Sequence, residues 1–530
     1  MDASAVLALV EAWVERHRSL FTGPGISIGL TDRDRTIGTL TLGEASRGMP
    51  LTPDHLFPIA SVSKSFTAAL VMREREAGRI DLQEPVERFL PWFRPPSRFG
   101  PIAVHHLLSH TSGLASGQDA TGEAVGELLA LSEQEPGFAP GEQFAYSNSG
   151  YKALGLILEV VTGRPWWESA SERILGPLGM HATEPTMTFD VRPRVAPGHV
   201  SPFDDRPWHS SYGLVEAPWY ESGTADGTIC SNATDMCAYL RMLLARGGDV
   251  MSEEGYGLMT SRHASDPEED LGYGYGLWTR DVDGVTHVGH SGSIHGYVAF
   301  LTLDPEAGFG AVVLSNGEGG WRLRRDLLAF ALASLRSAAS GLASPALPPT
   351  KSLESVPDAE SYAGTYGEIR FTAQGDRLVL AAEGTRTPLE TAGPDGFVAP
   401  LPAFARFPLA FERRDGDVVA VAHGPEWFAR DGLDAPAPAV PDAAWEGLVG
   451  HYRAYGAFPL NAYVVVRRGR LRMSDPVGRT DDELVPLPAG GFRIGAEQWA
   501  PGRVGFDTSI GGRAMRAVID GAPYFRRFGL

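Results

Sequence analysis

The chain has 530 residues, 43% hydrophobic and 21% charged, with 63 glycines, 40 prolines and a formal net charge of −19 from 46 basic and 65 acidic residues. That length is too great for one ordinary domain and points to about two to four, and the composition is that of a globular, turn-rich protein rather than a disordered one. The acidic balance argues against nucleic acid and against an anionic membrane as partners, because both reward basic patches.

The start, Met1-Asp2-Ala3-Ser4, lacks the basic residues and long apolar run of a signal peptide. The apolar stretch Ala5 to Trp13 is short, and Glu11, Glu15 and Arg16 interrupt it. No segment reaches the roughly 18 to 20 apolar residues needed to span a bilayer, so a cytoplasmic protein is expected. Residues 5–18 read as a helix, followed by two alternating strands, Ile26 to Leu30 and Ile37 to Leu42. From Ser61 to Glu76 the pattern turns helical, with Gly78 as its stop. A largely helical middle includes Gly150 to Val161, closed by Thr162-Gly163. Strands return at Val298 to Leu303 and Gly310 to Leu314, joined by a turn at Asp304-Pro305-Glu306-Ala307-Gly308. Strands first, helices in the middle and strands last predict an α+β fold, an antiparallel sheet flanked by helices.

Beyond residue 340 the chain changes character. Ser, Ala and Pro dominate 341–358 and Ala and Pro dominate 433–442, both read as linkers. The segments 359–432 and 443–530 repeat one another: Gly364-Thr365-Tyr366 returns as Gly450-His451-Tyr452, Arg377-Leu378 as Arg470-Leu471, and Phe411-Glu412 as Phe506-Asp507. Each copy holds several short alternating strands, which predicts two small antiparallel β-barrels in tandem, or else one larger β domain. The expected organisation is thus a catalytic domain over 1–340 followed by the two β domains.

Three short motifs in the first 340 residues carry candidate chemistry. Ser61-Val62-Ser63-Lys64 opens a predicted helix, where the i, i+3 spacing puts hydroxyl and amine on one face. Free N–H groups at the helix start favour negative charge on the hydroxyl, and a lysine within reach can take its proton. Only Lys64, Lys152 and Lys351 occur among the 46 basic residues. An arginine stays protonated whereas a buried lysine can act as a base, so a lysine kept in this background is notable. A second S-x-x-K, Ser149 to Lys152, reads as a helix cap followed by a surface lysine. Tyr146-Ser147-Asn148 lies in a loop ahead of that second helix; a phenol can relay a proton, and an amide can hold a substrate backbone and the lysine. By itself the same triplet reads as a core tyrosine beside an N-capping Asn148. His290-Ser291-Gly292 precedes the strand that starts near Tyr297. An edge strand there can pair with an extended substrate, and the Ser293 and Ser61 N–H groups can form an oxyanion hole. The competing reading is a β-turn with an incidental histidine. His287 and His295 have no acidic or cysteine complement that would make a zinc site, and Cys230 and Cys237 match no metal or redox spacing. No metal or cofactor is expected.

Together these motifs resemble the serine β-lactamase and DD-peptidase superfamily. The segments His105 to Leu114, Pro140 to Tyr151 and Pro177-Leu178-Gly179-Met180 are similar to its "HLLxHTSGL", "PGxxFxYSNxGY" and "PLGM" stretches. The likeness spans about residues 20 to 320 and is greatest to the class C-like branch of esterases and D-aminopeptidases, the latter with two appended small barrels. The resemblance implies a catalytic fold of that type, Ser61 as nucleophile, Lys64 as base and Tyr146 as proton relay. It further implies Asn148 as the second-motif amide and His290, followed by Gly292 and Ser293, as the third motif. Where β-lactamases and many DD-peptidases keep a lysine, this chain has His290, which gives no dependable positive charge at pH 7. The implied reaction is acyl transfer through a Ser61 acyl-enzyme on an amide or ester of a small molecule or short peptide, foremost a D-amino-acid peptidase or amidase. An esterase or β-lactamase, a transacylase or peptide cyclase with an amine in place of water, and an inactive binding protein are the alternatives. Self-association is compatible with every one of them.

Overall fold

Along Gly310 to Leu314 the residues alternate between Ala311 and Val313 on one side and Val312 and Leu314 on the other, and all four are buried. A strand that is apolar on both faces needs cover on both. The computed structural model describes residues 3–117, 122–266, 269–382, 384–433, 436–456, 460–477 and 480–527. Two compact units result, Met1–Val200 with Val215–Thr350, and Ser201–Leu214 with Lys351–Leu530.

The first unit is built on a nine-stranded sheet. Its strands are β1 (Gly25–Asp32), β2 (Thr36–Ser46), β3 (Met49–Pro50), β4 (Ala264–Asp266), β5 (Leu271–Tyr273), β6 (Trp278–Val282), β7 (Val285–Ile294), β8 (Tyr297–Asp304) and β9 (Phe309–Ser315). The order is β3-β2-β1-β9-β8-β7-β6-β5-β4, with antiparallel pairing at every step. An early strand and the last strand of this sheet therefore lie side by side as β1 and β9. Helix α1 (Ala3–Arg16) buries Val6, Val10, Trp13 and Val14, an i, i+4, i+7, i+8 stripe. With α7 (Trp321–Ala339) it covers one face, against Ile26, Ile28, Phe300, Ala311 and Val313. The other face carries α2 (Ser63–Glu76), α4 (Asn148–Thr162) and α5 (Ala233–Leu244), packed on Ala299, Leu301, Val312 and Leu314. Two further helices used below are α3 (Ala124–Leu131) and α6 (Glu253–Thr260). The expected turn at 304–308 closes with the Gly308 N–H donating to the Asp304 carbonyl and Gly308 at φ +78°. Among the described residues, no helix is long and apolar enough to cross a membrane.

In the second unit the later repeat, Gly450 to Arg526, is a closed barrel of eight strands. The earlier one divides into a four-stranded and a five-stranded antiparallel sheet around a shared core of Tyr362, Tyr366, Phe371, Phe397 and Phe411. The seam falls where Pro388, lacking an N–H, ends one strand ahead of Glu390. The shared Gly-x-Tyr has one physical explanation in both copies. Tyr366 and Tyr452 are fully buried, and each hydroxyl donates to a carbonyl four residues back, Tyr362 O (3.1 Å) and Leu448 O (2.7 Å). Arg430 and Arg526 reach the carbonyls of Ala363 and Val449, which directly precede the two glycines. A Cβ on Gly364 would stand 2.9 Å from Arg430 Nε, and one on Gly450 2.3 Å from Arg526 Nη1. The glycines make room for the arginines. Ser201–Leu214, which interrupts the first unit between Val200 and Val215, belongs here through the Ser210 N–H on Glu390 (3.0 Å) and the Tyr463 hydroxyl on the Asp205 carbonyl (3.1 Å).

Candidate active site

Ser61 sits where a short strand becomes a helix. Phe57–Pro58 pairs with Cys230–Ser231, a single 3₁₀ turn covers Ala60–Val62, and α2 follows from Ser63. Ala60 has φ +49°, in the left-handed region that a residue with a Cβ adopts at a cost of about 1 to 3 kcal/mol. Such strain persists only where the surroundings fix it, and here it turns Ser61 out of the strand at the head of α2. The first turns of α2 are polar yet buried, and every polar group finds a partner in the 225–239 region. Ser63 Oγ accepts from the Ile229 N–H (3.2 Å), the Thr67 hydroxyl donates to Ala225 O (2.6 Å), and the Tyr239 hydroxyl donates to Ser65 Oγ (3.0 Å).

Lys64 is fully buried and its Nζ donates to Ser61 Oγ (3.0 Å), Asn148 Oδ1 (2.8 Å) and the Asp226 carbonyl (2.9 Å). All three acceptors are neutral oxygens. The Tyr146 and Tyr151 rings lie 5.1 and 5.6 Å from the same Nζ, close enough to hold a cation over their faces. As an amine, Lys64 keeps two N–H groups for Asn148 and Asp226 and turns its lone pair to the Ser61 hydroxyl.

The sequence places the third motif ahead of a strand, whereas the structure puts it inside one, because the alternating run continues from Val285 to Ile294. On one side β7 pairs with β8 over its length from Val288; on the other the β6 ladder ends at Gly289. From His290 onward β7 is therefore bonded on one side only among the described residues, and it passes directly behind Ser61. A Cβ on Gly292 would stand 2.2 Å from the Ile59 carbonyl oxygen and 3.0 Å from the Ser61 nitrogen. Only glycine permits that approach. Ser293 is the next residue along the strand, and its side chain is exposed.

The structure thus brings Ser61, Lys64 and Asn148 into direct hydrogen bonding, with Tyr146, His290 and Gly292 around them. The second S-x-x-K departs from expectation. Ser147, neither Asn148 nor Ser149, caps α4, accepting from the Gly150 N–H; Asn148 is already the first helical residue, and the Ser149 hydroxyl donates to Ser116 O (2.9 Å). Lys152 is buried, not on the surface, in an ion pair with Glu127 of α3 (2.7 Å). α4 is covered by α3 on the side that sequence spacing leaves facing water. His287 and His295 do not converge with His290, and among the described residues no cluster of three His, Cys, Asp or Glu side chains is arranged to hold a metal ion.

Residues 15–335 match the Beta-lactamase family model. The chain belongs to the beta-lactamase family. It is similar to penicillin-binding protein 4 of Amycolatopsis lactamdurans, 29% identical over 333 residues that cover 58% of this chain and 84% of the relative. It is similar also to the D-aminopeptidase of Cereibacter sphaeroides, 28% identical over 389 residues, 69% of this chain and 71% of the relative. Among solved structures, the octameric penicillin-binding protein homologue from Pyrococcus abyssi shares the fold with a TM-score of 0.58 at 24% identity, covering 89% of this chain and 98% of that one. The protein is a hydrolase of the beta-lactamase fold, in a family of serine hydrolases.

Four groups in this beta-lactamase-family site escape the sequence reading: the Asp226 carbonyl, His110, Tyr151 and Tyr273. His110 lies against the Tyr146 ring, centroids 4.2 Å apart with the planes tilted by 35°, and, like Ala60, has a positive φ, +57°. It lies within the "HTSG" stretch, and Tyr273 within Gly272-Tyr273-Gly274-Tyr275-Gly276, a glycine-rich signal that could have marked it. Beside Asp226, Thr224 and Ala225 line a cleft of about 480 Å³ with Trp166, Trp167 and Glu159.

Proposed function

We propose that the chain is a serine hydrolase working through a Ser61 acyl-enzyme on amide or ester bonds, foremost those of D-amino-acid peptides or amides. The observation that carries this is Lys64 Nζ at 3.0 Å from Ser61 Oγ, oriented by Asn148 and the Asp226 carbonyl. The Ser61 proton passes to Lys64 Nζ as Oγ bonds to the substrate carbonyl carbon, and the carbonyl π electrons move to its oxygen. N–H groups of Ser61 and Ser293 receive that oxyanion. On collapse the C–N or C–O bond breaks, and the leaving group takes a proton through Tyr146. Water then repeats the sequence in reverse roles and frees the acid. The similarity to a D-aminopeptidase supports the D-amino-acid preference.

The test is covalent labelling by a fluorophosphonate with mass-spectrometric mapping, followed by acylation rates across paired D- and L-amino-acid amides, short esters and a penicillin. Label on Ser61, its loss in Ser61→Ala and faster turnover of D-amides are expected. Label on another serine would overturn the nucleophile, and equal or inverted D to L ratios would overturn the substrate class.

A further inference from the structure

The ring nitrogens near Lys64 can be assigned from their partners. The Ser147 backbone N–H donates to His110 Nδ1 (3.0 Å), so this nitrogen is unprotonated and the proton of the neutral ring is on Nε2. His110 Nε2 lies 3.2 Å from the Tyr273 hydroxyl, which is therefore the acceptor there. The Tyr273 hydroxyl has its own proton to give, and His290 Nε2 lies 2.8 Å away. His290 in turn has Nδ1 at 2.6 Å from the Ser291 carbonyl, which can only accept, so Nδ1 carries the proton. One orientation satisfies the whole series: His110 Nε2–H to Tyr273, Tyr273 O–H to His290 Nε2, His290 Nδ1–H to Ser291 O.

We infer that His110 and Tyr273 are positioning residues that lock His290 as the neutral Nδ1–H tautomer, so that the third-motif wall offers substrate no imidazole N–H and no charge. Both nitrogens of His290 are spent within the protein and the side chain is 2% exposed. Recognition along this wall falls to the one-sided backbone of β7, which suits acyl donors lacking a carboxylate there. The same series ties the Tyr146 loop, through the His110–Tyr146 ring contact and the Ser147 N–H, to the strand behind Ser61. The titratable groups facing His290 all favour its neutral form or are themselves uncharged. Lys64 on α2 opposes a second cation, and Tyr146, Tyr273 and His110 approach from the loop, from β5 and from the 105–114 segment. Burial and Lys64 push His290 down to about 3 and His110 well below the usual histidine range, while burial holds the Tyr273 phenol well above its own.

The catalytic consequence rests on the Ser61 reading, whereas the tautomer does not, so the primary test is nuclear magnetic resonance on the unaltered protein. With ¹⁵N-labelled histidine, and His290 assigned by loss of its signals in His290→Gln, the ring should show the Nδ1–H tautomer without titrating between pH 5 and 8. An Nε2–H tautomer, or protonation with a midpoint above 5, would overturn the proposal whatever Ser61 does. Tyr273→Phe removes one oxygen and should let His290 mix tautomers and titrate upward by a unit or more. In kinetics it should lower kcat roughly tenfold with KM within twofold, and make carboxylate-bearing esters gain on neutral ones as pH falls from 6 to 4. An unchanged tautomer, midpoint and selectivity in Tyr273→Phe would sink the idea.

Discussion

Gly292 offers the sharpest test of how β7 serves Ser61, the nucleophile we propose. In Gly292→Ala the new Cβ would lie 2.2 Å from the Ile59 carbonyl oxygen, 3.0 Å from Ala60 Cβ and 3.0 Å from the Ser61 nitrogen. A carbon and a carbonyl oxygen rest no closer than about 3.3 Å, so strand or nucleophile turn must retreat by roughly 1 Å. Ile59 is held by its N–H on Ile229 O (2.8 Å), and β7 by its ladder to β8, so neither side yields freely. A misplacement of about 1 Å costs roughly 10²-fold in rate, and loss of one oxyanion donor about 10² to 10³, or about 2.7 to 4 kcal/mol of barrier. Gly257→Ala is the control: this residue lies within α6 with open space at its Cβ, and alanine there should stabilise by about 0.5 to 1 kcal/mol. The assay is the stopped-flow burst of p-nitrophenol from a p-nitrophenyl ester, scaled to the folded fraction from the melting curve. A folded Gly292→Ala protein that acylates within threefold of its parent would refute the close-packing argument.

Further outcomes follow from the same geometry. Lys64→Arg keeps the charge but gives no base, so acylation should drop by about 10² or more in the same burst assay, and a smaller drop would remove Lys64 as proton acceptor. Lys152→Met strands Glu127 in the interior and should cost about 3 to 5 kcal/mol in urea unfolding while leaving acylation per folded molecule unchanged; joint replacement with Glu127→Leu should recover most of the loss. His110 and His290 are neutral in the folded state far below the pH at which they protonate when unfolded. The unfolded chain therefore binds more protons below about pH 6.5, so stability is full above that pH and falls as pH drops, for His290 by about 1.4 kcal/mol per pH unit toward about 3, with His110 acting in the same direction. Urea midpoints that stay flat from pH 6.5 to 4.5 would contradict their burial as neutral rings. In a 1–350 fragment, Ser201–Leu214 loses Arg453, Asn461, Tyr463 and Glu390, so limited chymotrypsin digestion should cut after Trp208 or Tyr212, bonds protected in the full chain.

By itself the sequence determined the protein wherever a property is local. Ser61 and Lys64 share a face because three residues make one helical turn, and the expected turn at 304–308 is set by Pro305 and Gly308. The alternation in Gly310 to Leu314 marks a strand, and the Gly-x-Tyr repeat marks two related β segments beyond residue 358 before any contact is known. Where neighbours come from distant parts of the chain, only the tertiary structure decided. Lys152 has the spacing of a surface residue and becomes buried because α3 lies over it. The Asp226 carbonyl that orients Lys64 belongs to a backbone group every residue possesses, so no side-chain pattern announces it. His290 reads as a substrate-facing polar residue until Tyr273 and the Ser291 carbonyl take both its nitrogens. Ring orientation and protonation depend on partners tens of residues away, brought together by the order of strands in the sheet, and that order is fixed by the packing of helices on both its faces.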